Sequence, residues 1–157
     1  MRHFLCCFEG GAMSAWIARA ITSFVLLAII GQPGIAENKR KILVVGNPGI
    51  LASVSRKELA AIYLLRIAFW PNGQRIVPVN RGAANPLRIQ FSQLILHEPP
   101  MALADYWNQM HFQGVNPPVI MDSNRAVVAF VRKVPGAIGY VSATTPTDGV
   151  KVLRRLP

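Results

Sequence analysis

Between residues 75 and 88 the chain reads RIVPVNRGAANPLR, and this stretch constrains the fold more than any other. Ile76, Val77 and Val79 read as a short buried strand, and Pro78 places that strand near a sheet edge or its end. A loop, Asn80 to Ala84, follows with Arg81 at its mouth. Asn85 suits a helix N-cap, Pro86 suits the first helical position, and Leu87, Ile89, Gln90, Phe91 and Leu94 continue as a helix. A strand that ends in a loop and feeds a helix start brings unpaired backbone N–H groups and the positive end of the helix dipole to one place. Arg81 and Arg88 add fixed positive charge there. The same residues also read as a plain strand-to-helix connection carrying two solvated arginines.

The 157 residues suit one domain, of which the first part reads as a leader. The apolar run FVLLAII lies downstream of Arg19, and Gly34-Ile35-Ala36 offers small residues with cleavage expected before Glu37. The run is shorter than the roughly 20 residues of a comfortable membrane span. Residues 1–36 are therefore expected to be a secretory signal peptide and 37–157 the mature, periplasmic domain. An uncleaved N-terminal anchor is the alternative. The residues before Met13 include Glu9, Cys6 and Cys7 and suit no leader, so Met13 is a candidate start. Without residues 1–36 the chain has no cysteine, which excludes disulfides and thiolate chemistry. It then carries 15 Lys and Arg against 6 Asp and Glu, a net +9 that favours acidic partners. The basic residues form small clusters rather than a block, and no nucleic-acid-binding motif accompanies them, so a nucleic-acid partner is not expected.

Lys41 to Val45, KILVV, reads as the first strand, ended sharply by Gly46-Asn47-Pro48-Gly49. Ser55 and Glu58 have capping-box spacing, and Leu59, Ile62 and Tyr63 mark the buried face of a helix that should end near Arg66. Phe69 to Gly73 is an aromatic corner and turn before the strand Arg75 to Val79. The helix from Pro86 is expected to reach about His97, where Glu98-Pro99-Pro100 breaks it. A further helical pattern over Met101 to His111 has Leu103, Tyr106, Trp107 and Met110 on one side. Val119 to Met121 is a third strand. Asp122 or Ser123 caps a helix carrying Val127, Val128, Phe130 and Val131, and Pro135-Gly136 stops it. Ala137 to Val141 and Val150 to Leu153 are the last strands. Strands alternating with helices argue for an α/β sandwich around a mixed sheet.

Three stretches carry a family resemblance: NPG with SRKELAAIYLLRIAFWPNGQRIVPVNR, PLRIQFSQLIL with ALADYW, and AVVAFVRKVPGAIGYVSA. Together they resemble the phosphate-binding proteins of ABC transporters, specifically one lobe of that type II periplasmic-binding-protein fold. The resemblance covers roughly residues 41–143, nearly all of the expected mature chain. It implies an α/β lobe with a mixed sheet flanked by helices, in a family where two lobes close on one phosphate. One lobe there supplies an arginine followed by a Ser-Gly-Thr run that opens a helix. Arg81 stands at the arginine, while Asn85, Pro86 and Leu87 stand where Ser, Gly and Thr would be. Pro86 removes a backbone donor and Leu87 a hydroxyl, and Leu65 replaces a Gly usual after the first helix. The resemblance extends to one lobe, and a chain without the second lobe is the expectation.

The resemblance thus implies a solute-binding component with a depleted anion site: Arg81, Asn85 and the backbone of Leu87 and Arg88, with the helix capped by Ser123 facing the same ligand. Each hydrogen bond in an open half-site nets only about 0.5–1.5 kcal/mol, so phosphate or a similar oxyanion is expected to bind no more tightly than about 1 mM. An ABC permease or envelope protein is the implied protein partner. A homodimer with two Arg81 loops face to face would restore the missing wall. The alternative is a periplasmic adaptor with no small ligand. No cofactor and no enzymatic activity are implied. His97 and His111 lack metal-ligand spacing, Ser53 and Ser55 lack a local His and carboxylate, and Trp70, Tyr106, Trp107 and Tyr140 read as core or turn anchors more readily than as a sugar platform.

Overall fold

The strand β1, Ile42–Gly46, is buried along its whole length. Its run of β-branched and apolar residues fits a strand covered on both faces. In this computed structural model, which describes residues 41–157, β1 lies inside a five-stranded sheet of order β3-β2-β4-β1-β5. The other strands are β2 (Val77–Asn80), β3 (Val119–Ile120), β4 (Ala137–Ser142) and β5 (Lys151–Leu156). β1 pairs antiparallel with β4 and β5, whereas β2 pairs parallel with β3 and β4, so the sheet is mixed as expected. The expected leader, its cleavage point and residues 37–40 lie outside the described residues. Among the described residues, no helix is long and apolar enough to cross a membrane.

Helices cover both faces. Alternate residues of β1 divide the core: Ile42 and Val44 join Leu59, Ile62, Tyr63, Leu87 and Phe91 on one side. Leu43 and Val45 join Val79, Val127, Val131 and Val141 on the other. The first face is covered by α1 (Arg56–Tyr63) and α2 (Pro86–Ile95), the second by α4 (Asn124–Lys133). Gly139 of β4 lets α4 come close, because a Cβ there would stand 2.6 Å from Val127 Cγ1.

The local signals act as their chemistry requires. Ser55 and Glu58 form the reciprocal capping box, and Leu59, Ile62 and Tyr63 are the buried face of α1. That helix ends at Tyr63 rather than near Arg66, because Leu65 turns into the left-handed region at φ 58° and Arg66 N–H donates back to Ala61 O. The pattern expected over Met101 to His111 is divided into a 3₁₀ turn, Pro100–Leu103, and α3 (Ala104–Phe112), which starts without a side-chain cap. Leu103, Tyr106, Trp107 and Met110 are its half-buried side, and none of α3 is fully buried. α2 stops at Ile95, short of His97.

Pro78 sits where its reading allows: β2 lies between β3 and β4, next to the edge strand, and Pro78 is the second residue of β2. Val77 N–H donates toward β4, to Gly136 O, so the nitrogen of the next residue faces the opposite side. There β3 pairs only with Val79 and Asn80, and no donor is missed. Gly136 O also accepts from Trp70 Nε1 at 3.0 Å. One carbonyl therefore joins the aromatic corner, the start of β2 and the turn into β4.

Two substitutions test this account. Gly136→Ala places a Cβ 2.1 Å from Arg75 O at a φ of +75°, and should lower unfolding free energy by about 3 kcal/mol or more in urea titration. Leu65→Gly relieves a left-handed leucine and should raise it by up to about 1 kcal/mol; a lower urea midpoint would show that the Leu65 side chain contributes more than its backbone costs.

Candidate functional site

β2 and β4 run parallel and side by side, so their carboxyl ends open on the same edge of the sheet. Arg81 follows β2, and Ser142 closes β4. The starts of α2 and α4 come to the same edge. Between them is a pocket of about 200 Å³ lined by Arg81, Asn85, Pro86, Leu87, Asn124 and Ser142.

Each helix start leaves donors over. Asn85 is extended, at φ −71° and ψ 128°, and its Oδ1 accepts from Leu87 N–H at 3.0 Å. Pro86 has no N–H, and Ile89 N–H reaches Asn85 O. Among the described residues the first turn of α2 therefore keeps one unpaired amide, that of Arg88. At α4 the Ser123 hydroxyl accepts from Ala126 N–H at 3.0 Å and Val127 N–H donates to Ser123 O. The Asn124 and Arg125 amides are left over.

Arg81 ties the two starts together. Its Nη1 donates to Asn124 Oδ1 at 2.5 Å and its Nη2 to Asp122 O at 2.6 Å. Its backbone N–H is shared between Asn80 Oδ1 and the Tyr140 hydroxyl, and that hydroxyl donates to Asn80 Oδ1 at 2.6 Å. Arg81 is only 7 % exposed, and its Nε has no partner. No carboxylate pairs with it among the described residues. A cation between two helix N-termini is electrostatically misplaced, because helix dipoles favour cations at C-termini. An anion in the pocket would correct that imbalance.

The five residues singled out in the sequence divide. Arg81, Asn85 and Leu87 line the pocket, but the Leu87 amide is already taken by the Asn85 cap. Ser123 is an exposed cap, and its neighbour Asn124 lines the pocket instead. Arg88 is not a solvated surface charge. It is 8 % exposed, its Nε is buried without a partner, and no hydrogen bond to its guanidinium is made among the described residues. Burial lowers its pKa, an effect that Tyr140 and Tyr63 oppose. Burial pushes both tyrosine hydroxyls upward, with Arg88 opposing, so both stay protonated donors. Ser142 carried no signal of its own: only the parallel pairing of β2 and β4 brings it beside Arg81.

Behind the pocket Phe91 of α2 stacks on Tyr140, with ring centroids 4.0 Å apart and planes 4° apart, and Tyr63 meets Phe91 edge-on. Tyr63 donates to Val79 O at 3.1 Å. Trp70 and Tyr140 are thus core residues, and the half-buried Tyr106 and Trp107 pack edge to face on α3. His97 and His111 are exposed, and no metal-ligand cluster occurs among the described residues.

No protein-family model matches the chain, and no curated protein matches it. Solved structures do. A phosphate ABC transporter substrate-binding protein from Clostridium perfringens, with bound phosphate, superposes with a TM-score of 0.60 at 18 % identity, covering 74 % of this chain and 46 % of that one. An ABC-type phosphate transport receptor from Vibrio cholerae gives 0.57 at 19 %, covering 74 % and 47 %. PstS from Borrelia burgdorferi gives 0.56 at 17 %, covering 73 % and 47 %. The fold is that of these binding proteins, and the chain spans just under half of their length.

The geometry makes Arg81 a clamp as well as a charge. Arg81→Ala strands the Asp122 carbonyl and Asn124 side chain, and should cost about 1–3 kcal/mol of unfolding free energy. An unchanged urea midpoint would show that the two bonds stabilise nothing.

Proposed function

We propose that this chain is a secreted, non-enzymatic oxyanion-binding protein of the phosphate-transporter solute-binding kind. The observation that carries the reading is Arg81: a buried guanidinium, without a carboxylate, set between the N-termini of α2 and α4. The sequence resemblance places an anion-holding arginine at this position, and the solved structures of the same fold include one with phosphate bound.

The proposed ligand groups are the remaining Arg81 N–H donors, the Arg88, Asn124 and Arg125 amides, the Asn85 and Asn124 side-chain NH₂ groups, and the Ser142 hydroxyl. The pocket is open to water, so each bond nets about 0.5–1.5 kcal/mol and the dissociation constant is about 1 mM or weaker. A permease or envelope partner, and a homodimer closing two Arg81 loops on one anion, belong to the same proposal. One observation favours a second reading, an adaptor without a small ligand. Two of the Arg81 nitrogens already bond to Asp122 and Asn124, which suffices for a purely structural clamp.

Nuclear magnetic resonance separates the two without a substitution. Titrating phosphate at constant ionic strength should shift the Arg88, Asn124 and Arg125 amides together, with a dissociation constant near 1 mM. Shifts scattered over the basic surface, or none, would overturn the binding reading and leave the adaptor.

A further inference from the structure

The pocket is built almost entirely of donors. Arg81 cannot accept a hydrogen bond, and Pro86 and Leu87 bring no side-chain acceptor. The two asparagine oxygens are engaged, Asn85 Oδ1 by the Leu87 amide and Asn124 Oδ1 by Arg81 Nη1. Ser142 Oγ lies 3.0 Å from Thr144 Oγ1. None of Glu58, Glu98, Asp105, Asp122 and Asp148, the acidic residues described, lines the pocket. Asp122 turns its backbone carbonyl to Arg81 and is itself exposed. A proton carried in on a ligand would find no carboxylate to accept it.

The charge points the same way. Arg88 is a second buried arginine, its Nε unpartnered, and no carboxylate pairs with it among the described residues. It lies behind the pocket, near enough to the Tyr140 hydroxyl to act on it, and that hydroxyl receives the Arg81 amide. One cation, Arg81, and two helix N-termini face the pocket, and the charge of Arg88 lies behind it.

Resting on the oxyanion reading above, we propose that the pocket takes fully deprotonated tetrahedral dianions, of which sulfate is the simplest, with no preference for phosphate. Sulfate presents four acceptor oxygens to a site of donors. The monohydrogen form of phosphate brings one O–H that no carboxylate of the pocket can accept, and the dihydrogen form two, with half the charge. The lining side chains are arginine, asparagine, proline, leucine and serine, with no carboxylate and no histidine among them. Any pH dependence therefore belongs to the ligand.

The experiment follows the Arg88 and Asn124 amides while sulfate and, separately, phosphate are added at constant ionic strength, at several pH values across the second ionisation of phosphate. Sulfate affinity should stay flat with pH. Phosphate affinity should rise as the dianion replaces the monoanion, and approach sulfate to within about 3-fold only at the alkaline end. Phosphate bound about 10-fold tighter than sulfate at any of these pH values would overturn the inference while leaving oxyanion binding intact. Failure of both anions to move these amides would reject the oxyanion reading and this inference with it.

Discussion

The site depends on one arrangement of charge: Arg81 is buried with no carboxylate beside it among the described residues. A guanidinium cannot shed its proton as a buried lysine can, so it must be solvated by something. Here carbonyl and amide oxygens at the start of α4 do part of that work. They are neutral, and the helix ends on either side are positive. The arrangement persists because the surroundings fix it. The Arg81 backbone is held by Asn80 and Tyr140, Tyr140 is stacked on Phe91, and Phe91 belongs to the helix whose start forms the other wall.

That chain of contacts depends on the parallel pairing of β2 with β4. Those strands come from distant parts of the sequence, and the Gly136 carbonyl sets where they meet by accepting from both Val77 and Trp70. A slip of one residue in this pairing would turn Val79 out of its core and carry Arg81 away from Asp122. The Trp70 corner and the PGAIGYV strand, which belong to two of the stretches that carry the family resemblance, are therefore the two halves of one register lock.

Much of the fold was legible because its signals are local. The Ser55–Glu58 box, the Asn85-Pro86 start and the Gly136 stop each act within a few residues, and each is where the sequence places it. The helix of Tyr63 ended early because a leucine adopts a conformation that sequence reading reserves for glycine. The burial of Arg88 was not legible for a different reason. Its neighbours in sequence, Ile89 and Gln90, are exposed and half-buried, and only the packing of α2 against Tyr63 and Tyr140 shows that this turn of the helix faces inward. The roles of Asn124 and Ser142 needed strand order, which no local pattern carries.

Loss of donors also changes what kind of recognition is open to the pocket. Pro86 deletes one amide, the Asn85 cap occupies the next, and hydrogen-bond geometry, the usual source of discrimination between similar anions, is thinned. Net positive charge is not thinned, because two arginines and two helix ends remain. Charge acts over a Debye length of about 8 Å in physiological salt and is indifferent to the shape of the anion. A ligand held mainly by field is held weakly, released by salt, and ranked by charge before identity. Sharper selection would require a second wall carrying acceptors as well as donors, and the open side of the pocket is where such a wall would have to stand.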